Sequence, residues 1–286
     1  MLNLVASLVQ ISMNIKIFVS SIFCLVTFVS GTNVHNSKES DHDTQYELVF
    51  SDEFNMPNGS QPDNKKWSRC KRYNIGWNRW ISNSLDVVFI KNGKLICRAI
   101  PNTKEPNDTA PMLTGAIETK GKINFKYGRV DVRLKTNNKE GNFPAAWMKP
   151  EEGNVGKPYG EIDIFEGCGS LGVAQQTIHS QMTIYENIKD QPTLFRKRLS
   201  LNKWHIYSVV WTPSYVAYEI DGVETGRYEK SSDKKLLNIG QWTFDRPFFL
   251  IINQSVGNGK YKGMKPLIND VYETQFDWIR VYKLKE

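Results

Sequence analysis

Gly128-Arg129-Val130-Asp131-Val132-Arg133-Leu134-Lys135 alternates apolar and charged side chains without a break. Successive side chains of a strand point to opposite faces, so this stretch predicts a half-buried strand: Val130, Val132 and Leu134 in a core, Arg129, Asp131, Arg133 and Lys135 in water. The same period of two extends outward over residues 47–50, 115–119, 161–166, 177–182, 205–212, 248–253 and 276–282. Residues 87–90 and 95–98 flank Asn92-Gly93, and 215–220 runs into Asp221-Gly222 before Val223. Those dipeptides accept the positive φ that two-residue hairpins need, so two hairpins are expected. Helical periodicity is scarce. Many short strands without alternating helices predict an all-β antiparallel sandwich or barrel, and no linker or repeat divides residues 46–286. Residues 100–111, with three Pro, read as a surface loop within that single domain.

Ahead of the domain, Lys16 leads into an apolar run over 17–29 followed by Ser30-Gly31. That pattern predicts a secretory signal over 1–31, because the run falls short of the roughly 20 residues a spanning helix needs. Residues 32–45 are a polar lead-in. The expected mature chain has no membrane span, is secreted, periplasmic or at the cell surface, and acts as a monomer. The formal charge of +7 falls to +6 without Lys16, and the basic residues are scattered. Nucleic-acid binding, which clusters them, is not expected. The densest triplet, Arg196-Lys197-Arg198, reads as a solvated loop or strand end. Cys70, Cys97 and Cys168 remain after the signal, an odd number that allows one bridge and one thiol. No CxxC or His-x-x-x-His spacing supports zinc.

Gly160-Glu161-Ile162-Asp163-Ile164-Phe165-Glu166 places three carboxylates on an otherwise apolar strand. In a regular strand Glu161 and Asp163 share a face and Glu166 points to the other. One extra residue at Ile164–Phe165, a β-bulge, returns Glu166 to their side. Crowded acids push their pKa values apart, so that one stays protonated beside one that is charged. Glycoside hydrolysis uses such a pair. An exposed acidic face paired with Lys and Arg, or a calcium site lacking the usual Asp-rich loop, are the alternatives from spacing alone.

Glu161-Ile162-Asp163-Ile164-Phe165-Glu166 also resembles the Glu-x-Asp-x-x-Glu signature of glycoside hydrolase family 16, the laminarinase, lichenase, agarase and endo-β-galactosidase group. Phe50-Ser51-Asp52-Glu53-Phe54, Phe143-Pro144-Ala145-Ala146-Trp147-Met148 and Asp277-Trp278-Ile279-Arg280-Val281-Tyr282 resemble family segments in the family's order. The resemblance implies a jelly-roll sandwich of two curved antiparallel sheets with a concave substrate cleft. It implies Glu161 as nucleophile, Glu166 as acid/base, Asp163 as their helper, and retention of anomeric configuration. Trp147 is implied near the cleft, where it stacks on a sugar or fills the core. His179 stands near the acids, and Trp77 and Trp80 are expected at the rim; Trp211 and Trp278 are left to the core. No cofactor is required for catalysis, and the family's structural calcium, where present, would match Glu53, Gly93 and Asp277.

Gly167-Cys168-Gly169, Ser180 after His179, and Trp77-Asn78-Arg79-Trp80 depart from the common glucanase pattern. The departures touch subsite walls, not the acids. They lean the expected substrate from β-1,3 or β-1,3/1,4 glucans toward β-galactosidic glycans of mucin or keratan type. A non-catalytic glycan-binding protein on the same scaffold is the rival from another class.

Overall fold

The computed structural model describes residues 45–73, 76–153, 156–167, 172–259 and 265–285. The signal, nearly all of the lead-in and Cys168 lie outside the described residues. The strands are β1 (Tyr46–Asp52), β2 (Ser68–Arg69), β3 (Val88–Ile90), β4 (Leu95–Pro101), β5 (Met112–Glu118), β6 (Gly128–Thr136), β7 (Asn142–Pro150) and β8 (Gly160–Gly167). They continue as β9 (Val173–Ser180), β10 (Leu194–Arg198), β11 (His205–Trp211), β12 (Tyr215–Ile220), β13 (Val223–Glu229), β14 (Phe248–Val256) and β15 (Tyr272–Leu284). Two short helices, α1 (Gln181–Tyr185) and α2 (Lys234–Asn238), interrupt them.

One hydrogen-bonded path runs β10-β9-β8-β7-β14-β5-β4-β15-β6-β11-β12-β13, with β1 on β15, β2 on β5 and β3 on β4. Every strand pairing along it is antiparallel. The path curls on itself, so Ile162, Ile164 and Phe165 of β8 and Leu250 and Ile252 of β14 share a core with Val130, Val132 and Leu134 of β6 and Ile279 and Val281 of β15. Each fully buried large apolar side chain contributes roughly 1.5–3 kcal/mol. This is the jelly-roll sandwich that the alternation and the resemblance imply.

Both expected hairpins form. Asn92 and Gly93 take φ of 52° and 65°, and Asp221 and Gly222 take 53° and 76°. Gly128 opens β6 with φ of 106°, and a Cβ there would stand 2.0 Å from the Tyr282 carbonyl oxygen. Three expectations are corrected. Arg129 and Asp131 are buried, not wet: Arg129 Nε lies 2.7 Å from Asp131 on the same strand, and Nη2 lies 2.8 Å from Glu219 of β12, one strand beyond β11. Strand β9 ends at Ser180, because the Ser180 hydroxyl accepts from the Thr183 N–H and caps α1. Trp278 leaves the core, since a register shift between Phe276 and Trp278 turns Asp277 and Trp278 both outward, with the Arg280 guanidinium 4.2 Å over the indole. The triplet Arg196-Lys197-Arg198 forms the solvated end of the edge strand β10, as expected. Cys70 and Cys97 are buried free thiols, so no bridge joins them.

Candidate active site

Asp163 pairs with Thr177 of β9 and Glu166 with Gln175, so β8 spends three steps where β9 spends two. On the other side Trp147 pairs with Asp163 and Ala146 with Phe165, which leaves Ile164 without a partner. This is the expected bulge. Ile164 and Phe165 are both completely buried, and turning two consecutive apolar residues inward restores Glu166 to the face of Glu161 and Asp163. The carbonyl freed at Ile164 accepts from the buried Gln176 amide at 3.0 Å. Gly167 lets β8 leave the bulge against Pro144, whose Cγ would lie 2.8 Å from a Cβ.

The three acids line a concave cleft of about 320 Å³, with Trp77, Trp147, Lys149, Tyr159, His179 and Asn253 among its walls. Asp163 is 3% exposed. Burial first, then the charges of Glu161 and Glu166, hold its carboxyl well above the ordinary range, against the pull of His179. Burial likewise raises Glu166, although Gln175 Nε2 at 2.9 Å and Thr177 Oγ1 at 3.0 Å donate to its Oε2. Glu161 Oε2 instead accepts from the Tyr159 hydroxyl at 2.8 Å and has Lys149 Nζ at 3.5 Å. His179 Nε2 sits 3.4 Å from Asp163 and 3.8 Å from Glu161. Burial opposes its protonation, but the Asp163 contact and the surrounding carboxylates lift it to about 9. Two acids whose carboxyls are held above the ordinary range thus stand beside Glu161, on whose Oε2 the Tyr159 hydroxyl and the Lys149 ammonium converge.

Of the residues singled out from sequence, Glu161, Asp163, Glu166 and His179 come together. Trp147 lines the cleft but is 5% exposed, its Nε1 donating to Asn253 at 2.9 Å, with Trp77 edge-on at 5.1 Å. Trp147 is thus a floor post with little ring face to offer, and Trp77 stands at the wall. Trp80 is not a rim platform: it packs with Ala99, Met112, Val256 and Tyr272, and Arg79 covers its ring at 4.0 Å. Glu53, Gly93 and Asp277 do not fit a calcium ion. Arg280 takes both Glu53 oxygens at 2.9 and 3.0 Å, while Asp277 is held by Lys94 at 2.9 Å and by Arg133. Three cations already satisfy the two carboxylates. Sequence reading missed Lys149, Tyr159, Gln175 and Thr177. Their signal was the period of two, since Tyr159 precedes Glu161 by two and Gln175, Thr177 and His179 alternate along β9.

The family described as glycosyl hydrolases family 16 matches residues 65–262. Keratan-sulfate endo-1,4-beta-galactosidase of Sphingobacterium multivorum is 31% identical over 246 residues, which cover 84% of this chain and 56% of the relative. The chain therefore spans about half the length of that relative. The X-ray structure of the laminarinase from Rhodothermus marinus superposes with a TM-score of 0.72 at 28% identity, covering 84% of this chain and 98% of that one. A structure solved in work on endo-acting O-glycanases with which human gut microbiota initiate mucin breakdown gives 0.72 at 26% identity, covering 84% and 100%. Among the described residues no helix is long and apolar enough to cross a membrane.

Proposed function

The chain belongs to glycosyl hydrolase family 16, and from that premise we propose that it is a secreted, endo-acting, retaining hydrolase of β-linked glycans. Glu161 attacks the anomeric carbon as the glycosidic C–O bond breaks, and the departing oxygen takes the proton of Glu166. Water then enters, gives a proton back to Glu166 and releases Glu161. Asp163 stands between the two on the same face, its carboxyl held above the ordinary range by burial and its Oδ2 3.4 Å from His179. The observation that carries this reading is the bulge, which gathers three acids on one face, two of them with carboxyls that burial holds above the ordinary range.

The preferred substrates are β-galactosidic glycans of keratan or mucin type. The polar wall of Lys149 and Tyr159 beside Glu161 supports that preference, as does the likeness to the keratan-sulfate relative. A specific observation favours a second reading, an endo-β-1,3(1,4)-glucanase: the beta-glucanase of Rhodothermus marinus matches at 28% identity over 92% of this chain and 94% of its own length. One experiment separates them. The mature protein and its Glu161→Gln variant are incubated with keratan, mucin glycans, laminarin and mixed-linkage glucan, and the products are analysed by mass spectrometry and NMR. Internal cleavage of keratan or mucin glycans, first released as the β-anomer and lost in the variant, is expected. Cleavage of laminarin alone moves the substrate to glucans, and binding without cleavage on every glycan refutes the enzyme.

A further inference from the structure

Two donors converge on one oxygen of Glu161, and the catalytic scheme above assigns neither of them a task. Tyr159 stands two residues before Glu161, so the two side chains rise from the same side of the chain. Its backbone is fixed at both ends: the N–H donates to Gln181 Oε1 at 2.8 Å, and the carbonyl accepts from Thr243 Oγ1 at 2.8 Å. The phenol therefore reaches Glu161 Oε2, at 2.8 Å, from an anchored position. Lys149 approaches the same Oε2 from β7 at 3.5 Å. Its ammonium is steered there by two ring faces, Trp147 at 5.2 Å and Tyr159 at 5.6 Å. At the other oxygen, Oε1, the nearest cationic group among the described residues is His179 Nε2, at 3.8 Å, beyond hydrogen-bond range.

Resting on the proposed reaction, we infer that Tyr159 and Lys149 are positioning residues that clamp Oε2 of Glu161 and so make Oε1 the attacking atom. Oε1 forms the bond to the anomeric carbon while the C–O bond to the departing glycan breaks and its oxygen takes the Glu166 proton. In the resulting ester Oε2 is the carbonyl oxygen, and the Tyr159 hydroxyl stays on it. The same donor then polarises that carbonyl when water displaces Glu161 from the sugar. A hydrogen bond to a carboxylate is short and directional, which is why it can select one rotamer of a three-torsion side chain. Misplacing a reacting atom by about 1 Å costs on the order of 100-fold.

The test combines kinetics with crystal structures of the intact protein and its Tyr159→Phe, Lys149→Met and Lys149→Arg variants. Tyr159→Phe is expected to lower kcat by roughly 10–100-fold with the melting temperature unchanged. Lys149→Met is expected to lower it less, and Lys149→Arg to restore it. In the Tyr159→Phe crystal the Glu161 carboxylate is expected to rotate away from its native position. A variant with native kcat, or with its loss confined to KM, overturns the clamp, as does a Glu161 carboxylate that keeps its place without the hydroxyl. A native protein that cleaves none of the glycans refutes the proposed function instead, and the crystal comparison then decides the clamp by itself.

Discussion

Deleting Ile164 should leave the proposed hydrolysis intact, although the residue lies between two of the proposed catalytic acids and is completely buried. The reason is the register. Glu161, Asp163 and Glu166 pair with His179, Thr177 and Gln175, which are already alternate residues of β9. Without Ile164 the three acids become alternate residues of β8 as well, and a regular ladder holds all of them on the concave face. The cost falls on stability. Removing a buried Ile side chain costs about 2–5 kcal/mol, and the Gln176 amide, which donates to the Ile164 carbonyl at 3.0 Å, loses an acceptor. For a domain of this size that corresponds to a fall in melting temperature on the order of 10 °C. The control is Glu166→Gln, which keeps the bulge and removes the acid, and which should abolish turnover of the natural glycan. Turnover of the cleaved glycan is measured well below each variant's melting temperature, with circular dichroism to confirm folding. A folded deletion variant as inactive as Glu166→Gln would refute the claim that the bulge acts by setting the face of Glu166.

Glu166→Gln should lower hydrolysis of the natural glycan by about 100–10,000-fold while sparing an aryl glycoside whose leaving group needs no proton; equal losses on both would deny it the acid role. Because burial holds the Glu166 carboxyl above its ordinary range, activity on the natural glycan should decline as pH rises through that raised value, and the basic limb should vanish in Glu166→Gln with the aryl substrate. His179, lifted to about 9 on folding from about 6.5, contributes stability that is fully present below about pH 6.5 and lost as pH rises through about 9. Melting temperatures between pH 6 and 10 should therefore fall more steeply for the native protein than for His179→Gln, and parallel curves would contradict the ion pair. Since Arg280, Lys94 and Arg133 satisfy Glu53 and Asp277, EDTA should leave the melting temperature unchanged, whereas a drop reversed by calcium would show a bound ion.

Alternation in Gly128–Thr136 and the two dipeptides that accept positive φ made the sandwich and both hairpins legible, because strand period and turn sterics are local properties. The bulge was legible too: two apolar residues between Asp163 and Glu166 leave one residue too many for a regular strand. Strand β10 was not read as such, since its five residues show no apolar period and are ordered by pairing with β9. The outward turn of Trp278 was also hidden, because the shift that produces it is set by how β15 pairs with β6.

By itself the sequence determined which residues would alternate, where the chain would reverse, and that three acids would meet on one face, each a consequence of backbone geometry within a few residues. Tertiary structure alone decided the chemistry around them. Tyr159, just ahead of β8, and Lys149 of β7 reach one oxygen of Glu161, Thr177 and Gln175 hold Glu166 from β9, and Trp80 turns away into packing. Protonation states followed from the same assembly, because desolvation and through-space charge depend on what the fold brings near, not on what lies adjacent in the chain.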